Sequence, residues 1–124
     1  MILTIKLTKE ETKQTMLGLV VCRNPVKKGL KKVYGFFKGR EYVETYDIVK
    51  EKFVGLYDDN SEQDYCLEFN KAELDMLSSF LNFYINEIKK EERISETYLS
   101  ALIALESTLE KVKAVEEQEA CLVN

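Results

Sequence analysis

The chain has 124 residues, of which 45% are hydrophobic and 32% are charged, and it carries a formal net charge of −4 with no histidine. This length suits a single hydrophobic core, so we expect residues 1–124 to form one α+β domain, and the composition excludes a wholly disordered chain. The absence of histidine excludes a Cys-His or Ser-His-Asp catalytic site and any zinc site that uses a histidine ligand.

The first predicted elements are a strand and a helix. Residues 2–7 largely alternate apolar and polar side chains, which is typical of a short strand. Thr8 followed three residues later by Glu11 is the signature of a capping box, in which each side chain bonds the other residue's backbone N–H. A helix is therefore expected over residues 9–22.

Signals of location and redox state favour the cytoplasm. No basic leader precedes an apolar core, and no apolar run approaches the roughly 20 residues of a membrane span, so we predict no membrane contact. The cysteines are odd in number and far apart, which favours reduced thiols, and the apolar neighbours of Cys22 and Cys66 predict that both are buried. Lysine supplies 15 of the 18 basic residues, a bias that favours a low-GC bacterium or one of its phages as the source.

The segment 23–40, RNPVKKGLKKVYGFFKGR, reads as a basic amphipathic helix. Asn24 is a good cap and Pro25 suits the first helical position, so the helix is expected to start there. Gly39 is expected to end it. Apolar residues at i, i+4, i+7 and i+11 predict the buried face, which consists of Val26, Leu30, Val33 and Phe37.

Charge is separated along the sequence. Segment 23–40 has seven basic and no acidic residues, whereas residues 41–124 have eight basic and 20 acidic residues. A block of one sign steers partners of the opposite sign, so the basic segment is the candidate partner-binding surface. Its predicted contact residues are Lys27, Lys28, Lys31, Lys32, Tyr34, Phe36, Lys38 and Arg40.

Two alternatives remain for residues 41–53. Their apolar positions keep helical spacing, while their β-branched and aromatic content suits a strand, and we favour the helix. Beyond them, residues 53–57 and 65–69 are rich in apolar residues and flank the polar sequence DDNSEQD. This pattern predicts a β-hairpin.

The polar turn resembles the start of a calcium loop, but the match fails. An EF-hand needs glycine at the sixth position and a bidentate glutamate at the twelfth, where this chain has Gln63 and Phe69. Paired C-x-x-C spacing and the glycine-rich phosphate loops are also absent from the sequence. We therefore predict no metal, cofactor or catalytic residue. The alternating polar side chains of the turn are Asp58, Asn60, Glu62 and Asp64.

Two helices are predicted in the last third of the chain. Asn70 and Glu73 form a second capping box, which opens an amphipathic helix to about Lys90. Ser95 begins the last helix, whose apolar residues step by four and three. The fold class is thus α+β: a small antiparallel sheet of an N-terminal strand and a hairpin, amphipathic helices packed against it, and a C-terminal helical hairpin. These last helices are also a possible homodimer interface.

The sequence contains one internal similarity. IKLTKEE and LEFNKAE both run from a strand through a cap to a lysine and a glutamate, and both lead into a helix. Duplication of a unit explains this similarity, and so do the local rules for starting a helix after a strand. The sequence is consistent with both explanations.

Elimination favours a non-catalytic protein-binding module, such as an inhibitor, adaptor or regulator, whose partner is a protein with a charged surface. The first alternative is weak, sequence-independent nucleic-acid binding through segment 23–40; scarce arginine and an isoelectric point near 5.0 disfavour it. The second is small-molecule binding, on which the sequence gives no signal. The acidic C-terminal half also suits a mimic of nucleic acid.

Overall fold

The computed structural model describes residues 2–91 and 95–123, with side chains described up to residue 120. This part of the chain is mostly helical, with four helices and a small two-stranded antiparallel sheet. In chain order the elements are β1 (Leu3–Leu7), α1 (Lys9–Val21), α2 (Arg23–Leu56), β2 (Tyr65–Phe69), α3 (Lys71–Lys89) and α4 (Glu96–Val123).

The sheet consists of β1 and β2, paired antiparallel with Leu3 opposite Phe69 and Leu7 opposite Tyr65. Side chains alternate between its two faces, as the strand period requires. The inner face is buried against the helices, and the outer face is exposed. Cys66 lies on the outer face, so the prediction that it is buried is wrong, and Cys22 is only half-buried.

The predicted β-hairpin is wrong, because residues 53–57 are not a strand. The helical spacing of the preceding segment continues, and α2 runs on to Leu56 with Phe53 fully buried. β2 therefore pairs with the N-terminal strand alone. The helix prediction for residues 41–53 is confirmed by the same observation.

α3 and α4 pack against each other and run antiparallel. Lys89 Nζ lies 2.9 Å from the Glu106 carboxylate, and Lys71 Nζ lies 4.0 Å from Glu119 near the other end of the pair. Most of the apolar positions predicted for these helices are buried. They include Leu74, Leu77, Phe80, Leu81 and Ile88 on α3, and Leu102, Leu105 and Val112 on α4.

The two halves of the chain share a strand, a capped helix and a long helix, which in the first half is the part of α2 after Gly35. Both predicted capping boxes are confirmed, with side chain and backbone bonded reciprocally in each. α1 and α3 bury corresponding positions 62 residues apart. The matching buried pairs are Glu11 and Glu73, Thr12 and Leu74, Thr15 and Leu77, Gly18 and Phe80, and Leu19 and Leu81.

The long second helices match in the same way, at a shift of 59 residues. Exchanging the halves also preserves the strand register, with Ile5 facing Leu67 at the centre. The halves are therefore related by an approximate two-fold axis through the sheet, and the similarity extends well beyond the caps. The buried pairs of the long helices are Val43 and Leu102, Tyr46 and Leu105, Val49 and Thr108, and Phe53 and Val112.

A lysine from each half crosses to the capping glutamate of the other half. Lys111 Nζ of α4 lies 2.6 Å from Glu11 Oε1, and Lys52 Nζ of α2 lies 2.8 Å from Glu73 Oε1. Both glutamates are buried, at 4% and 7% exposure. Burial alone would raise the pKa of each carboxyl, but hydrogen bonds from the lysine and from the cap backbone outweigh it and leave both pKa values below the ordinary 4.5. We call these contacts the crossed lysine clamps.

The clamps predict a specific loss of stability in acid. A carboxyl whose folded pKa is depressed contributes stability that is complete above its unfolded pKa and is lost as the pH falls through the folded value. The free energy of unfolding should therefore decrease between about pH 5 and pH 3, and denaturant titrations across that range should show a shallower decrease for Glu11→Gln/Glu73→Gln. If the free energy of unfolding of this double variant depended on pH as steeply as that of the original protein, the crossed lysine clamps would not be the cause. Glu117→Gln, which removes one exposed carboxylate, is the control.

Candidate partner-binding surface

α2 is a helical hairpin rather than one straight helix. Arg23 and Asp47 would be about 36 Å apart along a continuous helix, yet Arg23 Nη2 lies 2.9 Å from Asp47 Oδ2. The chain reverses at Gly35, whose φ of 83° and ψ of −176° belong to a region that only glycine adopts readily. We call this unit the α2 hairpin; its first arm is residues 23–34 and its second arm is residues 36–56.

The arms touch closely where Gly39 faces Lys31. A Cβ at Gly39 would lie 2.8 Å from the Cα of Lys31 and 3.0 Å from the carbonyl oxygen of Leu30. Gly39 is therefore a buried contact between the arms, and the prediction that it ends the helix is wrong. The helix break falls four residues earlier, at Gly35.

The base of the hairpin is fixed by polar contacts to α1 and between the arms. Arg23 donates two hydrogen bonds to the Asp47 carboxylate, and these bonds lower the pKa of Asp47. The Tyr46 hydroxyl donates to the carbonyl oxygen of Leu19 near the end of α1, and burial raises the pKa of Tyr46. The helix begins at Arg23, after Cys22, which makes no side-chain cap, so the predicted capping role of Asn24 is wrong.

The tip of the hairpin exposes apolar side chains. Every residue from 32 to 38 is exposed, including Val33 at 72%, Phe36 at 61% and Phe37 at 82%. The prediction that Val33 and Phe37 form the core is wrong, because the chain reversal at Gly35 ends the helical face that their spacing implied. These three residues, together with Tyr34, are the aromatic tip.

The predicted contact residues all lie on the α2 hairpin, but not all of them lie at its tip: Lys27 and Lys28 are about two helical turns before Gly35, and Lys27 lines a groove with Asp47. The basic residues also differ in whether they have an acidic partner. Within residues 2–91 and 95–120, Arg40 and Lys38 each have an acidic partner at 3.6 Å, Glu44 and Glu41 respectively. The remaining lysines make no ion pair in that part of the chain. These unpaired lysines are Lys27, Lys28, Lys31 and Lys32.

The aromatic residues of the tip make local ring contacts. Lys31 Nζ lies 5.7 Å from the ring centroid of Phe36, within the range of a cation–π contact. The ring of Tyr34 lies 4.6 Å from that of Tyr42, and both remain partly accessible. Phe36 and Phe37 pack edge to face at 5.3 Å. Aromatic and cationic groups therefore share the exposed end of the hairpin.

A basic groove runs along one side of the hairpin, between the arms. Arg23, Lys27 and Lys31 line it from the first arm, spaced by four residues, and Arg40 lines it from the second. Its acidic residues are Asp47 and Glu44, the partners of the two arginines. The groove is therefore lined by two lysines, Lys27 and Lys31, that have no ion pair in the described chain.

The described residues contain little else that suggests chemistry. No three carboxylate or thiol side chains in this part of the chain converge in a way that would hold a metal ion. None of the helices described is both long and apolar enough to span a bilayer. The acidic turn that begins at Asp58 closes through local hydrogen bonds, including one from Asn60 N–H to the Asp58 carboxylate.

The chain matches no family model, no curated protein and no solved structure.

The sequence predicted the basic residues of this surface and two of its aromatic residues, Tyr34 and Phe36, but it placed Val33 and Phe37 in the core. A face built on i, i+4, i+7 and i+11 spacing assumes one uninterrupted helix, and this helix is interrupted. The available signal was the pair Gly35 and Gly39, because two glycines four residues apart allow a reversal and a close helix crossing.

Proposed function

We propose that this protein is a non-catalytic protein-binding module, an inhibitor, adaptor or regulator, that engages an acidic partner protein through the tip of the α2 hairpin. One observation carries the proposal: the first arm has four lysines without an acidic partner in the described chain, and it leads directly into a tip where Val33, Phe36 and Phe37 are exposed. Exposed apolar side chains grouped in this way are typical of a surface that binds another protein.

The aromatic and the basic side chains of this surface contribute differently to binding: the first to affinity, the second to the association rate and to selectivity. Aromatic side chains that become buried contribute most of the affinity, and Phe37 at 82% exposure has the most surface to lose. Lysines at the rim raise the association rate and reject partners with basic surfaces. The acidic remainder of the chain repels an acidic partner, so the partner approaches tip first.

Nucleic-acid binding is the second candidate, favoured by the placement of Phe36 beside Lys31, where a base would stack and a phosphate would pair. One fact opposes it. Arg23 donates two hydrogen bonds to Asp47, and Arg40 lies 3.6 Å from Glu44, so a bidentate contact of either arginine to a base would compete with an acid of the same chain. Any such binding would therefore rest on lysine–phosphate contacts and weaken steeply with salt.

Charge reversal at the tip tests the protein-binding proposal. Lys28 and Lys32 are exposed and outside every ion pair of the described residues, so Lys28→Glu/Lys32→Glu should leave the fold intact. After a partner has been identified from a lysate of the source cells and purified, calorimetry should show binding weakened by at least about tenfold, mainly through slower association. Thermal unfolding should be unchanged within a few degrees.

The matched control is Lys6→Glu/Lys113→Glu, which makes the same charge change at exposed positions outside the hairpin and should leave the affinity nearly unchanged. Equal weakening by both variants would point to net charge and contradict a tip-specific contact. Phe37→Ser should also weaken the complex, because the ring is the most exposed at the tip. Binding to anionic vesicles or to nucleic acid with no protein partner would overturn the proposal.

A further inference from the structure

A second groove lies on the other side of the first arm, between that arm and α3. It has a volume of about 280 Å³ and is mostly apolar. Its walls include Val26, Gly29 and Leu30 from the first arm, and Met76, Ser79 and Phe83 from α3. Phe83, which belongs to α3, is 41% exposed. We call this the apolar groove.

Gly29 is not required by the fold. It lies within the helix of the first arm without a positive φ, and a Cβ built on it would meet nothing within 4 Å. Gly18 and Gly39 differ, because a Cβ there would meet Tyr84 or Lys31 at under 3.0 Å. A glycine in the middle of a helix destabilises the helix relative to alanine. At Gly29 the folded chain shows no compensating contact.

Ser79 is the small residue on the opposite wall of the groove. Because Gly29 and Ser79 on the two walls are small, the backbone of another helix can approach the groove closely at these residues. We call this part of the groove the saddle. Larger side chains flank the saddle at both ends of the groove. They are Pro25 and Phe83 at one end, and Val33, Tyr34 and Met76 at the other.

The first arm carries two exposed lysines beside the residues that line the apolar groove. Lys28 and Lys32 directly precede Gly29 and Val33, one helical step of about 100° away, and neither makes an ion pair in the described chain. Anionic side chains on an occupant would therefore find two ammonium groups that no described acid neutralises.

We propose that the apolar groove binds an amphipathic helix of the partner protein, with an apolar stripe against the groove and acidic residues facing Lys28 and Lys32. This inference rests on the proposed function and specifies that the partner binds through a helix. The first arm lines the groove from Pro25 to Tyr34, about 15 Å of helix at 1.5 Å per residue. The occupant helix therefore makes two to three turns of contact, with anchors at i, i+3 or i+4, and i+7.

The test uses a designed peptide of about 18 residues, with leucines on one helical face and glutamates beside them. Two further peptides serve as probes of specificity, one with lysine in place of each glutamate and one with the same residues in scrambled order. Fluorescence anisotropy of the labelled peptides should show saturable binding of the acidic peptide. Binding of the lysine peptide should be at least about tenfold weaker, and backbone NMR shifts should concentrate at Gly29, Met76 and Ser79.

Gly29→Leu is the decisive variant. Leucine is a good helix former and the position is open, so the midpoint of denaturant unfolding should stay the same or rise. The same side chain fills the saddle, so affinity for the acidic peptide and for the purified native partner should fall at least about tenfold. Gly55→Leu is the matched control, because a Cβ at Gly55 also meets open space but lies outside the groove.

Each contrary result has its own meaning. No binding of the acidic peptide, or binding that Gly29→Leu leaves unchanged, overturns the inference. A native partner that is lost with Lys28→Glu/Lys32→Glu but retained with Gly29→Leu preserves the proposed function and removes the groove from it. A dimer in sedimentation that Gly29→Leu dissociates assigns the groove to a second copy of this chain and also overturns the inference.

Discussion

Replacing Lys111 by methionine is expected to lower the free energy of unfolding by about 3 kcal/mol, because it leaves a buried carboxylate without its cation. Glu11 is 4% exposed, and Lys111 Nζ lies 2.6 Å from one of its oxygens. The carboxylate would keep its hydrogen bonds from the backbone N–H of Thr8 and the hydroxyl of Ser107. Those bonds and the start of α1 hold the loss near the lower end of the range for broken buried pairs.

Denaturant unfolding monitored by circular dichroism measures this loss. The double variant Glu11→Gln/Lys111→Met should recover most of it, because a neutral amide accepts the Thr8 bond without leaving a charge buried. Lys113→Met, two residues away and exposed, controls for loss of a charge from α4. A Lys111→Met protein as stable as this control would mean that the clamp contributes nothing.

Replacing Tyr46 by alanine is expected to cost about 4 kcal/mol, within the range for large aromatic truncations in a core. Tyr46 is 1% exposed, and its ring packs edge to face on Phe80 at 5.7 Å. It also holds α1 to the α2 hairpin through the bond from its hydroxyl to Leu19. The truncation therefore opens a cavity where three helices meet.

Tyr46→Phe separates the hydroxyl from the ring. It keeps the packing but leaves the Leu19 carbonyl without this donor, so the loss should be about 1 to 2 kcal/mol. Chemical unfolding of both variants measures the two contributions. Tyr46→Phe costing as much as Tyr46→Ala would show that packing of the ring contributes little. Tyr42→Phe, at a more accessible ring of the same arm, is the control.

Local signals in the sequence predicted the parts of the fold that depend on local physics. The capping boxes at Thr8 and Asn70 are complete within four residues each, so both helix starts can be recognised without knowledge of the rest of the fold. The alternation of residues 65–69 likewise identifies a half-buried strand.

The wrong predictions concern features of the fold that depend on contacts between residues far apart in the sequence. The partner of β2 is β1, some 60 residues away, and only the assembled helices select that pairing. Residues 53–57 have the composition of a strand, but Phe53 stacks on Phe69 from the helical side of the sheet. Tertiary packing thus overrides the strand preference of that segment.

For a similar reason, the sequence predicts the charge of the candidate surface but not the exposure of all its apolar residues. Charge is a property of each residue, so the lysines from Lys27 to Lys32 were visible as a block before any fold was known. Exposure of Phe37 depends on a single backbone conformation at Gly35, and helical periodicity carries no information about such a reversal. The spacing of Gly35 and Gly39 is the sequence feature that marks the boundary between the two arms.

The crossed lysine clamps also determine how the molecule comes apart. Each half stabilises its most buried carboxylate with a cation from the other half, and each contributes one strand of the only two in the described chain. Cleavage in the connection between Leu56 and Tyr65 would leave two fragments, each with an unneutralised acid and an unpaired strand edge. We therefore expect neither fragment to fold alone and the two halves to unfold together in one transition, so that the base of the α2 hairpin is lost only when the whole domain unfolds.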